Sequence, residues 1–431
     1  MKIVKYLFLL LANQIVCSAA LWSNTSGIYK EKPVVLTPEY LYEKALSNYP
    51  LVKQYGLIEQ SRDYTLSNAS KGYLPQLSLS AKATYQSEVT RIPLNMSGIT
   101  PLDKDQYQAV LELSQIIWDG GTIASLKKAA LAAGEAEKAK NETDLYSLKE
   151  RVNQLYFGIM LFEGQISQLK LLKDDLGNSY SKVKAYLNNG LVLSSDLDAI
   201  RVEQLKSEQK LDELKMNLLT WRRMLYVLTS EEMVLTEPIE QPPTPQIPDI
   251  NEINRPELKL FDSQISLQTA QENTIKSLTL PKVGFFLQGG YGNPGLNMLK
   301  NEFSLFYIGG IRLQWNIGAL YTKKNSLNEI QNKIERTNLL IESFIFNTNM
   351  ESVRKANEID KLRKQLESDD EIIRLRGNIK RAAEAKMENG TIQVSDLIRE
   401  INAENMARQE RVIHETEYLM AIYNLKYNLN R

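Results

Sequence analysis

The chain has 431 residues, 24% of them charged, with Lys+Arg equal to Asp+Glu at 52 each, one His and one Cys. Zero net charge leaves no field for holding nucleic acid by counterion release, and a single Cys rules out an internal disulfide. One His and one Cys argue against metal or thiol catalysis, no nucleophile–base set is visible, and no cofactor is expected, so the chain reads as no enzyme. The length exceeds one ordinary domain and fits a repeated architecture.

Residues 1–20 read as a signal peptide. Lys2 and Lys5 form the basic region, Tyr6 to Ala12 a short apolar run, and Ser18-Ala19-Ala20 the small residues for cleavage. Cys17 has two readings: removal with the peptide, or acylation as a lipoprotein anchor. Either way the chain leaves the cytoplasm. No apolar run reaches the ~18–20 residues of a membrane-spanning helix.

The first repeat occupies residues 36–230. Thr37-Pro38 reads as an N-cap followed by Pro at the first helical position. The helix that follows carries Leu41, Ala45 and Leu46, with a kink expected at Pro50. A hairpin spans 75–117. Leu77, Leu79, Ala81, Ala83 and Tyr85 alternate with Ser78, Ser80, Lys82 and Thr84, and Tyr107, Ala109, Leu111 and Leu113 with Gln108, Glu112 and Ser114. Pro93, Gly98 and Pro101 mark the loop between. About ten residues suffice for a tilted strand to cross a bilayer. After Asp119-Gly120-Gly121 a long helix covers 120–188, about 100 Å at 1.5 Å per residue. Leu145, Leu148, Val152, Leu155, Ile159, Phe162, Ile166 and Leu169 keep coiled-coil spacing along it. A short break at 189–196 precedes a return helix over 197–228.

Six prolines between Pro238 and Pro256 make residues 231–256 an extended linker. The order then recurs in a second repeat at 257–431: helix, hairpin 282–317, long helix 320–388, break 389–396 and return helix 397–428. The breaks are the clearest sign of duplication. Asn189–Leu197 reads NGLVLSSDL and Asn389–Leu397 reads NGTIQVSDL. The same 200-residue offset pairs Tyr107 with Tyr307, Leu113 with Leu313, Ile117 with Ile317 and Ala185 with Ala385. Gly289-Gly290-Tyr291-Gly292 is read as a strand end, since neither a helix start nor a Lys-Ser/Thr pair follows it. His414 is read as a solvated residue on a charged helix face.

Four strands cannot close a transmembrane barrel, and open edges are not tolerated in lipid. Several chains must pool them. The expected fold is therefore mostly α with β: a long α-helical barrel and four transmembrane β-barrel strands per protomer, internally duplicated and closed by association of several chains, three of which would give twelve strands.

These parts in this order resemble the TolC-like outer-membrane efflux proteins. The resemblance rests on Gln115–Gly121 (QIIWDGG), on Tyr73-Leu74-Pro75 and Leu280-Pro281 before the hairpins, and on the paired N-G-x4-S-D-L breaks. It implies that the fold is closed by trimerisation, as a homotrimer in the outer membrane of a Gram-negative bacterium, with a twelve-stranded barrel in outer-membrane lipid and a helical tunnel through the periplasm. It also implies a periplasmic adaptor protein and an inner-membrane pump of the RND, ABC or MFS type, which would supply the energy for passive conduction through the duct. On this resemblance Asp396, with Asp196, belongs to a gate at the periplasmic tip. Each Asp also suits a helix-capping role, and Arg399 is placed to pair with Asp396. Asn189, Gly190, Asn389 and Gly390 are turn formers and, by resemblance, adaptor contacts. Tyr85, Tyr107, Trp118, Tyr291, Tyr307 and Trp315, with Phe303 and Phe306 beside them, fit an aromatic girdle at the membrane surfaces. The alternative is a periplasmic or surface coiled-coil trimer that forms no channel and whose hairpins are ordinary soluble sheets.

Overall fold

The computed structural model describes residues 35–90 and 101–431. The signal peptide expected at residues 1–20, Cys17 included, and the loop positions Pro93 and Gly98 lie outside the described residues. In the first half, α1 (Pro38–Asn48) opens on Thr37, whose hydroxyl accepts the Tyr40 N–H at 3.2 Å. Pro50 ends this helix and does not merely kink it. A 3-10 turn runs Pro50–Lys53 and α2 (Gln54–Ser70) starts afresh, because Pro lacks an N–H and crowds the preceding turn. The strands are β1 (Gln76–Tyr85) and β2 (Asp105–Trp118). The helical stretch after Gly121 is divided at Ser147 into α3 (Thr122–Tyr146) and α4 (Leu148–Asn188), so one continuous helix over 120–188 is not what forms. The return helix is α5 (Ser194–Thr229).

The Pro-rich segment holds one turn of helix, α6 (Met233–Thr236), and is otherwise extended. It is anchored at a few points along its length. Val234 and Ile239 are buried in the central core, and the Tyr156 hydroxyl donates to the Glu240 carbonyl at 2.5 Å. The second half contains α7 (Pro256–Leu278), β3 (Lys282–Asn293), β4 (Ser304–Gln314), α8 (Ala319–Glu388) and α9 (Val394–Leu429). The 70 residues of α8 make a rod of about 105 Å at 1.5 Å each.

Helices pack in the same way within each half: α2 on α3 and α4 on α5, then α7 on α8 and α8 on α9. The halves join through α3 against α7 and α4 against α9. The core is a column of three clusters. One gathers Leu176, Val183, Ile200, Met387, Val394 and Ile401 near the breaks, one gathers Leu41, Tyr156, Phe157, Leu225 and Leu419 at mid-height, and one joins Ile359 and Leu362 to Ile422 and Leu425.

The four strands make one antiparallel sheet in the order β1-β2-β3-β4. The β2–β3 pairing, Tyr107 opposite Asn293 through Ile116 opposite Gly284, welds the two hairpins together. Strands β1 and β4 are left as open edges. Pro75 and Pro281, which precede the hairpins, are 206 residues apart where β2 and β4 keep the offset of 200. The second hairpin is therefore six residues tighter: Leu77 faces Leu113, and Val283 faces Leu313.

Candidate functional site

Two regions carry chemistry that the helical scaffold does not consume: the sheet and the paired breaks. In the sheet, strand alternation and register put Leu77, Leu79, Leu111, Leu113, Leu287, Leu305, Ile311 and Leu313 on one face. This face is bare. Leu79 is 75% exposed, Ile311 74% and Leu305 82%. A soluble sheet of this size would hide such side chains; a sheet bathed in hydrocarbon would not need to.

Tyr85, Tyr107, Tyr291 and Phe303 cluster toward the loop end of the bare face, with Tyr307 just inside them. Phe303 stacks with Tyr107 and Tyr291 at centroid separations of 6.3 and 5.4 Å. Trp118 and Trp315 mark the helix end, where the Trp315 indole N–H donates to the Thr279 carbonyl at 3.1 Å. Eleven residues separate Tyr107 from Trp118, about 36 Å along a strand and about 25 Å high at a ~45° tilt, the height of an outer-membrane apolar band. Phe306 does not belong with these aromatics. Its register puts it on the opposite face, against Gly290, where an added Cβ would lie 2.2 Å from the Phe306 ring. That opposite face is mainly polar, with Ser78, Ser80, Lys82, Gln108, Glu112, Gln288 and Arg312 beside the apolar Val110, Phe286 and Ile308.

The strand-to-helix junction is built by Asp119. Its buried carboxylate accepts the Gly121 N–H at 2.9 Å and the Ile123 N–H at 2.6 Å, tying down the first turn of α3. Gly120 and Gly121 have φ of +69° and +81°, a region that favours glycine. The corresponding junction of the second half, Ile317 to Tyr321, has no such motif.

At the other end of the rods the two breaks lie side by side around a cleft of about 700 Å³. Each is a Schellman turn. The Gly190 N–H donates to Leu187 and the Leu191 N–H to Tyr186, both at 2.9 Å; Gly390 and Thr391 repeat this on Met387 and Lys386 at 3.0 and 2.9 Å. Gly190 and Gly390 have φ of +73° and +67°, with Asn189 and Asn389 as the helix C-caps. Beyond the turn, Asp196 and Asp396 stand at the third helical position and reach back to the backbone. Asp196 Oδ2 accepts the Leu193 N–H at 3.0 Å, and Asp396 Oδ2 accepts the Gln393 N–H at 3.3 Å. Both acids are thus engaged in capping. The other oxygen of Asp396, Oδ1, lies 3.1 Å from Arg399 Nη1. Arg399 also contacts Glu400 at 3.3 Å, and Glu400 lies 3.7 Å from Arg376 on α8. Leu191 and Leu193 are 70% and 72% exposed at the first tip.

The sequence reading missed the ionic node above the tips. Lys380 of α8 lies 2.6 Å from Glu404 of α9 and 2.8 Å from Asp175 of α4, and Arg408 closes on Glu404 at 2.7 Å. The Glu404 side chain is only 6% exposed. Its burial favours the neutral acid, but bonds from Lys380 and Arg408 outweigh this and hold the carboxyl below its ordinary range. Lys380, although burial opposes its charge, is raised by Asp175 and Glu404. Only the Glu404–Arg408 pair, four residues apart on α9, has a sequence signal; Lys380 and Asp175 come from two other helices. His414 is not free in solvent: its Nδ1 lies 2.8 Å from a buried Asp369 oxygen on α8.

Among the described residues there is no cluster of metal-binding side chains and no helix long and apolar enough to cross a membrane. The comparisons agree with this geometry. Residues 41–231 match the family model for outer membrane efflux proteins. No curated protein matches the chain. Among solved structures it is similar to CusC, whose structures concern transmembrane channel formation (TM-score 0.71, 14% identity, covering 92% of each chain). It is also similar to the outer membrane protein VceC of Vibrio cholerae (TM-score 0.69, 13% identity, covering 91% of this chain and 95% of that one). The Campylobacter jejuni CmeC outer membrane channel is a third (TM-score 0.65, 15% identity, covering 94% and 90%). The outer membrane efflux protein domain is thus matched in the first half of the chain, and both halves share the fold of these outer-membrane channels.

Proposed function

We propose that this chain is the exit duct of a tripartite efflux or type I secretion system. Three copies close a twelve-stranded barrel in the outer membrane and a helical tunnel below it. The observation that carries this reading is the sheet: a bare apolar face, a polar face behind it, and two unpaired edges. Four strands with open edges are unstable in lipid. Joining β4 of one copy to β1 of the next removes all edges at once and turns the polar faces inward. Conduction is passive and needs no catalytic group, so energy comes from an inner-membrane pump of the RND, ABC or MFS type through a periplasmic adaptor. The two tips suit that contact. Asn189-Gly190 and Asn389-Gly390 present compact turns at the ends of long rods, and Leu191 and Leu193 give an exposed apolar patch beside them. Asp396 narrows the tunnel mouth while it caps α9, and Arg399 tempers its charge. Tyr85, Tyr107, Tyr291 and Tyr307 anchor the outer lipid surface, and Trp118 and Trp315 the inner one.

The competing reading, a coiled-coil trimer that forms no channel, requires a cover for the bare sheet face, and nothing among the described residues supplies one. Fractionation separates the two. The duct requires that the full-length protein sediment with outer membranes and need detergent for release; recovery in the soluble periplasmic fraction would refute it.

A further inference from the structure

Glu112 and Arg312 are 200 residues apart, the offset of the duplication. They therefore hold the same place in the two repeats, β2 in one and β4 in the other, with charges of opposite sign. They also touch. Arg312 Nη1 lies 2.8 Å from Glu112 Oε1, and Gln288 of the intervening strand donates to Glu112 Oε2 at 2.7 Å. Register alone would not bring them together: Glu112 faces Gln288, and Gln288 faces Ile308, four residues short of Arg312. A stagger of this kind over two strands is what strand tilt produces in a closing barrel. Repeat-equivalent residues then lie at one height. Arg312 crosses the sheet opposite Gly284, which offers no side chain in the way, with its guanidinium 4.5 Å from the centre of the Phe286 ring.

Glu112 is the one acidic side chain on the polar face of the described strands. The cations there are Lys82, Lys282 and Arg312. The face is thus basic, and Glu112 offsets part of it at the level where the two repeats meet.

We propose that Glu112 and Arg312 form a ring of six alternating charges inside the barrel, and that this ring sets the ion preference of the outer-membrane segment. The proposal rests on the trimeric duct described above. Alternating signs at one height cancel along the axis, so neither sign of solute meets a net barrier there. Removing one sign leaves three like charges around a low-dielectric wall, where their field is focused on the lumen.

The test is the reversal potential of purified full-length trimers in planar bilayers across a KCl gradient. Glu112→Gln should move it toward the chloride equilibrium potential, Arg312→Gln toward that of potassium, and the double variant should fall between the two. The charge-swapped protein (Glu112→Arg with Arg312→Glu) rebuilds the alternation and should keep the wild-type value. It also decides the matter if a single variant does not assemble, since an assembled swap with a strongly shifted potential overturns the ring. Conducting single variants with unchanged potentials also overturn the ring and leave the duct standing. Wild-type trimers that carry no current overturn the duct reading, and the ring with it.

Discussion

Replacing Glu404 by Ala tests whether the ionic node holds α4, α8 and α9 together. The substitution removes the acid that pairs with Lys380 at 2.6 Å and with Arg408 at 2.7 Å, at a site where the Glu404 side chain is 6% exposed. Removing one partner of a buried pair typically costs about 3–5 kcal/mol, because the other charge stays buried. Two features reduce the loss here. Lys380 keeps Asp175 at 2.8 Å, and Arg408 is 41% exposed and free to turn to water. A cost of about 2–3 kcal/mol is expected, at or below the low end of that range. Glu404→Gln retains hydrogen bonding and should lose less. Replacing both buried partners (Lys380→Met with Glu404→Leu) should recover much of the loss, since no charge is left stranded. The assay is thermal unfolding of the detergent-solubilised protein, followed by far-UV circular dichroism. The pH dependence has a definite sign. The Glu404 carboxyl is held below its ordinary value, so its contribution is complete above the unfolded value near ~4.3 and is lost as pH falls through the lower folded value. The gap between wild type and Glu404→Ala should therefore be wide at neutral pH and close in acid. An equal melting temperature at neutral pH, or a gap that widens in acid, would refute the reasoning.

Three other substitutions probe separate parts of the molecule. At Gly158, an added Cβ would lie 1.9 Å from the Trp221 ring across the α4–α5 contact; Gly158→Ala should cost about 1–3 kcal/mol by overpacking, read as a lower melting temperature. Gly390→Ala meets no atom within 4 Å but must adopt φ +67°, at a cost of about 1–2 kcal/mol; a bulky residue there should abolish efflux in cells while leaving trimers in the membrane, whereas loss of trimers would assign the glycine to folding alone. Asp396→Ala should raise single-channel conductance or weaken cation preference, and unchanged currents would leave Asp396 as a helix cap only.

The parts of this fold that depend on local order could be read from the sequence. Alternation from Leu77 to Tyr85 defines a two-faced strand because side chains change sides at every residue. Asn-Gly marks each tip because Gly takes the left-handed conformation at little cost. The same parity, applied to Leu305-Phe306-Tyr307, would have put Phe306 on the polar face. What escaped the sequence depends on distant partners. The β2–β3 pairing joins residues more than 160 positions apart, and no local pattern sets its register. His414 looks solvated within its own helix, and its Asp369 partner comes from α8. The Pro-rich segment looked like a spacer by composition, but Val234 and Ile239 fill space left in the central core. Asp196 and Asp396 had both a capping and a gating reading; the hydrogen bonds supply the capping contacts directly, while gating depends on neighbours around a symmetry axis.

The central claim is that β4 of one chain pairs with β1 of the next until three chains close the sheet. Cysteines placed on the two edges (Ser80→Cys in β1 with Gln314→Cys in β4, both on the polar face and opposite one another when β4–β1 repeats the β2–β3 register) and bridged by a short bifunctional thiol reagent in isolated outer membranes test it most directly. The account predicts covalent dimers and trimers on denaturing gels, with nothing larger. Monomers only, or a ladder that continues past the trimer, would contradict it.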